Sequence, residues 1–249
     1  MRNKKDFELK GATPQMEVAL DCKVARYLSM EKFENMIEDK AIWFANADSF
    51  DDQRERSIPR GFFRNWGEEK VQGYQKINEV ADCVIGAYVT CWTKFCFENY
   101  ALWKVYNREC NGVCVVTPFE KLKKQIDEAG EKPLWASVQY VDLFDDTVQY
   151  DLPWIFFADG SIRNTRVKEV YKQQAYEYEK EIRGIIYDLK IDSEKGFSVA
   201  IKPEELIDEI YISPFMKDEE ERKVINYITE MGLGDRIRKS ILLEKKKQE

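Results

Sequence analysis

The sequence predicts an α+β fold: a single domain with a mixed, mostly antiparallel sheet of short strands flanked by helices. Three observations carry that expectation. Short apolar runs rich in Val, Ile, Tyr and Trp recur, as at 84–92, 112–116 and 184–189, with the length and composition of buried strands. Segments with apolar residues at helical spacing fall between them, but without the regular strand–helix rhythm of a doubly wound sheet. No repeat, low-complexity linker or block of like charge divides the chain. The domain is therefore expected over 24–243, after an N-terminal arm (1–23) and before a solvated tail (244–249).

In chain order, 24–28 (VARYL) reads as a strand. It runs into Ser29, the N-cap of a helix over 30–39 whose Phe33, Met36 and Ile37 share a face. A second short strand follows at 41–44, then a polar acidic loop over 48–55 and an Arg- and aromatic-rich loop over 57–67. A helix over 68–82 carries Val71, Tyr74, Ile77 and Ala81 on one side. The strand at 84–92 ends in Thr90-Cys91-Trp92-Thr93, which places hydroxyls where a strand opens into a loop. Helical spacing over 98–106 groups Leu102, Val105 and Tyr106, with Trp103 beside them.

After the strand at 112–116, Thr117-Pro118-Phe119-Glu120 combines a capping box with proline at the first helical position, opening a helix to about 129. A strand is expected at 136–143 and a helix at 163–178. Two strands, 184–189 and 196–201, are joined by the turn-like 192–195. A short helix at 203–206, a strand at 209–213 stopped by Pro214, a helix at 218–231 ending at Gly232, and a last strand at 237–243 complete the reading.

Composition narrows the chemistry. The 249 residues are 44% hydrophobic and 34% charged, with a formal net charge of -7, which argues against a broad basic nucleic-acid grip. No apolar run approaches the roughly 20 residues needed to span a bilayer, and 1–14 lack the apolar core of a secretory signal. A cytoplasmic protein without membrane contact is expected. The chain has no histidine, which removes Ser-His-Asp and Cys-His catalysis and His-ligated zinc hydrolysis. Cys91, Cys96, Cys110 and Cys114 lack the two-residue spacing of a four-thiolate zinc site, so free thiols and no metal are expected.

The segment with the densest chemistry is Glu179-x-Glu181-x-Arg183, which enters the apolar run Ile185-Ile186-Tyr187. Residues two apart on a strand share a face, so an extended segment would point all three the same way. Carboxylates and a guanidinium beside a core strand must pair with one another or with a ligand. A structural ion-pair ladder and a functional site both satisfy that requirement.

An ordered set of short motifs surrounds this segment. It comprises Arg26-Tyr27-Leu28-Ser29, Trp43-Phe44-Ala45, Phe50-Asp51-Asp52-Gln53-Arg54-Glu55, Cys91-Trp92, Glu98-Asn99 with Leu102-Trp103-x-x-Tyr106, Gly112-Val113-Cys114, Val138-Gln139-Tyr140, Lys172, the Glu179–Arg183 segment and Ile212-Ser213-Pro214. In order and spacing the set resembles a bacterial family known as domain of unknown function 2971, over about 24–243. That resemblance implies no established activity; it implies a setting in mobile elements, phage defence or toxin systems.

A second resemblance is to ADP-ribosyltransferases of the Arg-Ser-Glu type, carried by Arg26, Thr90 (or Thr93) and Glu181 in that order, with Glu179 two residues earlier. The middle strand reads Thr-Cys-Trp-Thr where that group has Ser-Thr-Ser. The resemblance implies NAD as substrate, Glu181 as the catalytic carboxylate helped by Glu179, Arg26 on the pyrophosphate, and Tyr27 or Trp92 stacked on nicotinamide. A carboxylate can stabilise the oxocarbenium charge that develops when a nicotinamide glycosidic bond breaks.

Two alternatives stand beside it. A metal-dependent nuclease or phosphodiesterase would use Asp52, Glu55, Glu98, Glu179 and Glu181 as ligands, with Lys172 or Lys180 on phosphate. A non-catalytic sensor module would use Glu98, Trp103, Tyr106, Glu181 and Arg183 as a polar-aromatic pocket for a small ligand or a partner peptide.

Overall fold

Near-continuous burial along KVARYL, on both faces, marks the first strand as a central one. In this computed structural model, which describes residues 17–50, 52, 56–64, 66–84, 86–107, 111–145, 168–188 and 195–243, β1 (Lys23–Leu28) buries Val24, Ala25, Tyr27 and Leu28. Ser29 then caps α1 (Met30–Glu38), its hydroxyl accepting from Lys32 N–H, and Phe33, Met36 and Ile37 are the buried residues, as the spacing predicts.

The other elements are β2 (Ala41–Asn46), α2 (Glu68–Val84), β3 (Gly86–Phe95), α3 (Tyr100–Tyr106), β4 (Val113–Pro118), α4 (Phe119–Glu128), β5 (Leu134–Ser137), β6 (Gln139–Val141), β7 (Tyr171–Gln173), β8 (Glu181–Asp188), β9 (Gly196–Ala200), α5 (Pro203–Leu206), β10 (Glu209–Ile212), α6 (Asp218–Glu230) and β11 (Ile237–Arg238). Strand pairing is antiparallel for β1 with β3 and β4, β4 with β10, β2 with β3, and β5 with β8; β10–β11 and β6–β7 are parallel. This is the expected α+β class with a mixed, mostly antiparallel sheet.

The chain divides into two compact units, each assembled from three sequence segments. One comprises 1–18, 44–90 and 133–197; the other comprises 19–43, 91–132 and 198–249.

In the second unit, β1 runs between β3 and β4, pairing Ala25 with Thr93 and Tyr27 with Cys114. Leu122 and Ile126 of α4 and Val224 and Ile228 of α6 are fully or almost fully buried. Gln125 ties α4 to the entry of α5, accepting from Lys202 N–H at 2.8 Å. The link β10–α6–β11 is a crossover between parallel strands. In the first unit, β8 pairs with β5, and Phe62, Phe63, Trp66 and Tyr74 form an aromatic cluster with centroids 5.1 to 6.0 Å apart. Phe44 stacks on Phe197.

Several expectations are corrected. The described part of the 163–178 helix is instead a 3₁₀ turn at Lys168–Val170, strand β7 and a 3₁₀ helix at Gln174–Glu179. The strand expected at 136–143 breaks at Val138, whose N–H donates to the Glu181 carbonyl at 2.9 Å. β5 then pairs with β8, while β6 pairs with β7. Strands β8 and β9 are not hairpin partners, because β9 lies beside β2.

The capping box at 117–120 is absent. Pro118 is itself the N-cap, and the Thr117 hydroxyl donates to the Leu206 carbonyl at 2.7 Å. Val105 and Tyr106 are exposed, whereas Leu102 and Trp103 face the core. Met231 is exposed, and the last strand covers only two residues. Ile77 and Ala81 have no described side chains, and the arm over 1–16 and the tail over 244–249 lie outside the described residues.

Candidate functional site

The segment that dominates the sequence reading lies in the first unit. Lys180 adopts a left-handed backbone, φ +44°, which ends the 3₁₀ helix and turns the chain into β8. Glu179 therefore closes the turn and Glu181 opens the strand, so the three residues do not form one extended ladder. Glu181 and Arg183 do share a face of β8, and the guanidinium grips the carboxylate with two bonds: Nε to Oε1 and Nη2 to Oε2, each 2.9 Å. This is the two-pronged geometry in which an arginine fork matches a carboxylate.

Lys172, on β7, closes the other side. Its ammonium lies 2.7 Å from Glu179 Oε2 and 3.5 Å from Glu181 Oε2. Arg183 Nη1 donates to the Glu169 carbonyl at 2.7 Å. The Glu169 carboxylate in turn accepts from Arg56 Nε at 3.1 Å and from the Tyr187 hydroxyl at 2.8 Å, and Arg56 also pairs with Asp48. The backbone of Glu181 is held as well: its N–H donates to the Tyr140 hydroxyl at 2.7 Å. Burial raises the Tyr140 pKa, and the adjacent Glu181 charge adds to the rise.

The network is buried. Glu181 is 6% exposed and Arg183 1% exposed, and Glu169, Lys172 and Glu179 are equally enclosed. Charges so far from water persist because they are paired and hydrogen-bonded; an isolated one would neutralise or cost several kcal/mol, as for any desolvated ion. Phe50 lies against the Arg183 guanidinium at 5.8 Å, and the half-buried Tyr176 ring is 4.7 Å from the Lys172 ammonium. The Tyr176 hydroxyl bonds to Asp52, whose charge is the main cause of its raised pKa.

The expected site residues thus divide. Glu179, Glu181, Arg183 and Lys172 meet directly, and Asp52 joins them through Tyr176. Glu55 lies outside the described residues. Thr90 belongs to the same unit but is fully buried in β3.

The remaining candidates lie in the second unit, with partners of their own. Half-buried Arg26 lies over the Trp92 ring at 5.9 Å, and desolvation lowers its pKa. Tyr27 and Trp92, expected to stack on nicotinamide, are both buried, so neither offers a face to solvent. The Tyr27 hydroxyl accepts from Asn99 N–H at 2.8 Å and bonds the Cys114 thiol, and burial pushes both pKa values up. Thr93 is opposite Ala25 in the β1–β3 pair. Glu98 accepts from the Trp103 indole N–H at 3.1 Å, and the Trp103 ring meets Tyr27 edge-on at 4.9 Å. Tyr106 is 47% exposed. Of the residues expected to line a sensor pocket, Glu98, Trp103 and Tyr106 lie in the second unit and Glu181 and Arg183 in the first.

Among the described residues, no three His, Cys, Asp or Glu side chains are placed to hold a metal ion. Glu179 and Glu181 spend their carboxylates on Lys172 and Arg183. Of the four cysteines weighed for zinc, Cys110 lies outside the described residues and Cys114 is bonded to Tyr27. No described helix is long and apolar enough to cross a membrane.

Sequence reasoning missed Glu169, Arg56, Tyr187 and Tyr176. Glu169 and Tyr176 sit in a stretch whose composition favours a surface helix, which hides a buried acid. Comparison of the chain with protein families, curated proteins and solved structures returned no match.

Proposed function

We propose that the Glu181 cluster is the working centre of an enzyme that breaks the glycosidic bond of NAD, as an ADP-ribosyltransferase or a glycohydrolase. One observation carries the reading. Glu181 is a buried carboxylate held as an anion, with Arg183 gripping both oxygens and Lys172 beside Oε2. A carboxylate locked in this way is poorly suited to take up a proton. It is well suited to stabilise positive charge, because a fixed anion in a low-dielectric setting needs no reorganisation as an oxocarbenium forms.

In the step itself, the C1′–N bond breaks and its electron pair passes to the nicotinamide nitrogen, neutralising the pyridinium. Water or an acceptor nucleophile then bonds to C1′ and gives its proton to solvent. Tyr176, half-buried beside Lys172, is the aromatic in place to face the base. Glu179 acts through Lys172, which sets the position of Glu181. The resemblance to domain of unknown function 2971, with the mobile-element or phage-defence setting it implies, lends the assignment a biological setting.

A structural ion-pair ladder is the competing reading, favoured by the completeness of the Arg183–Glu181 pairing. Nicotinamide release from NAD decides between them. The wild type is expected to release nicotinamide, and Glu181→Gln to lose on the order of a hundredfold in rate, the scale of one lost electrostatic stabiliser. Circular dichroism must show the variant folded. Absence of release by the wild type, with and without protein or nucleic-acid acceptors, would overturn the enzymatic reading.

A further inference from the structure

The second unit holds a buried acid of a different kind. Glu98 is 8% exposed, and the hydrogen bond to its carboxylate from a described residue is the neutral Trp103 indole, at Oε1. No described Lys or Arg forms an ion pair with it, and Oε2 is not among the side-chain atoms sealed from solvent without a partner. A carboxylate this enclosed, with one neutral donor and no counter-charge among the described residues, lacks there the pairing that buried ions require. One oxygen is therefore open to an exchangeable cation.

The surroundings select the kind of cation. A divalent metal needs six or more oxygen ligands, and no acidic cluster accompanies Glu98 among the described residues. Aromatic rings accompany the acid. Buried Trp103 is bonded to the carboxylate, buried Tyr27 and part-buried Tyr211 are close enough for the Glu98 charge to raise their pKa values, and Phe97 and Tyr100, which flank it in sequence, are the rings exposed to a ligand.

A separate observation shows what these rings hold. The Lys104 ammonium lies 3.3 Å from the Phe215 centroid and 5.7 Å from that of Tyr100, and Tyr100 and Phe215 meet edge-on. The chain's own alkylammonium thus already rests on an aromatic pair, as the negative face of a ring favours, and Phe215 of that pair packs against the cluster that contains Trp103.

We infer that Glu98 and the rings beside it form a binding site for a primary alkylammonium group of a small amine, with Oε2 accepting an N–H and the aromatic faces receiving the alkyl stem. This site is distinct from the Glu181 cluster and does not depend on NAD chemistry.

The test is an NMR titration of the full chain with n-butylammonium chloride, following the indole N–H of Trp103, which is assigned by its disappearance in Trp103→Phe. The expected result is a saturable shift that sodium chloride at equal ionic strength does not produce. Glu98→Gln keeps an acceptor for Trp103 and is expected to weaken binding at least tenfold, with an unchanged melting temperature. Lys104→Ala is expected to bind at least as well as wild type. The assignment is overturned if no saturable shift occurs, if sodium chloride reproduces it, or if folded Glu98→Gln binds as tightly.

Discussion

The two units bury carboxylates by opposite means. In the first, Glu169, Glu179 and Glu181 are matched by Arg56, Lys172 and Arg183, and each acid contacts at least one cation. In the second, Glu98 meets a neutral indole, and its neighbours are a tyrosine and a thiol held protonated by burial. The first arrangement depends on all its members, because removing one partner strands a buried charge. Among the described residues, the second leaves one oxygen without a charged partner. Saturated pairing is a frame that fixes geometry, whereas incomplete pairing leaves capacity for a ligand.

The largest test of that contrast is Arg183→Met. It leaves Glu181 without its fork and the Glu169 carbonyl without a donor, and the expected loss is about 3–5 kcal/mol of unfolding free energy, the scale for breaking a buried pair. Urea denaturation measures it; a loss below about 1 kcal/mol would show that the network is better hydrated than its burial suggests. Next in size is the coupling between Lys172 and Glu179. A double-mutant cycle with Lys172→Met and Glu179→Gln should give an interaction of about 0.5–3 kcal/mol, as for residues in direct contact, and an additive result would break the chain of pairs at that link.

Glu98→Gln should change stability by less than about 1 kcal/mol, since an acceptor for the indole remains and a buried charge is removed. A loss as large as that of Arg183→Met would erase the distinction between the units.

The smallest effect is a titration. Burial and the hydrogen bond to Glu209 raise the Tyr211 pKa to about 12, above the unfolded value of roughly 10. The contribution is present in full below pH 10 and is lost as pH rises from about 10 to 12. Tyr227 is raised to about 12 as well, chiefly by burial, so ultraviolet tyrosinate titration should find both phenols in that window, and Glu209→Gln should move only that of Tyr211 toward 10.

Much of this fold was legible from the sequence. Ser29 with Phe33, Met36 and Ile37 announces α1, and β1, β4, α5 and β10 lie within a residue or two of their apolar runs. The failures share a cause. From 168 to 179 the residues favour helix, yet Tyr171–Gln173 pairs with Gln139–Val141, and three-residue strands are too short to show a period. Tertiary pairing overrides local propensity there. At the site, the two-residue spacing of Glu181 and Arg183 was readable because it is local to one strand. The grip of Lys172 on Glu179, and of Arg56 and Tyr187 on Glu169, depends on segments that only folding brings together.

The position of β1 between β3 and β4 also has a consequence for synthesis. Its partners on β4 begin at Val113, so at about 5–20 residues per second the strand waits for several seconds after leaving the ribosome before that edge can be covered. Throughout that interval an apolar segment is exposed to other nascent chains. Lys23 and Arg26, placed within it, act as gatekeepers against association, so replacing them with apolar residues is expected to lower soluble yield before it alters the finished fold.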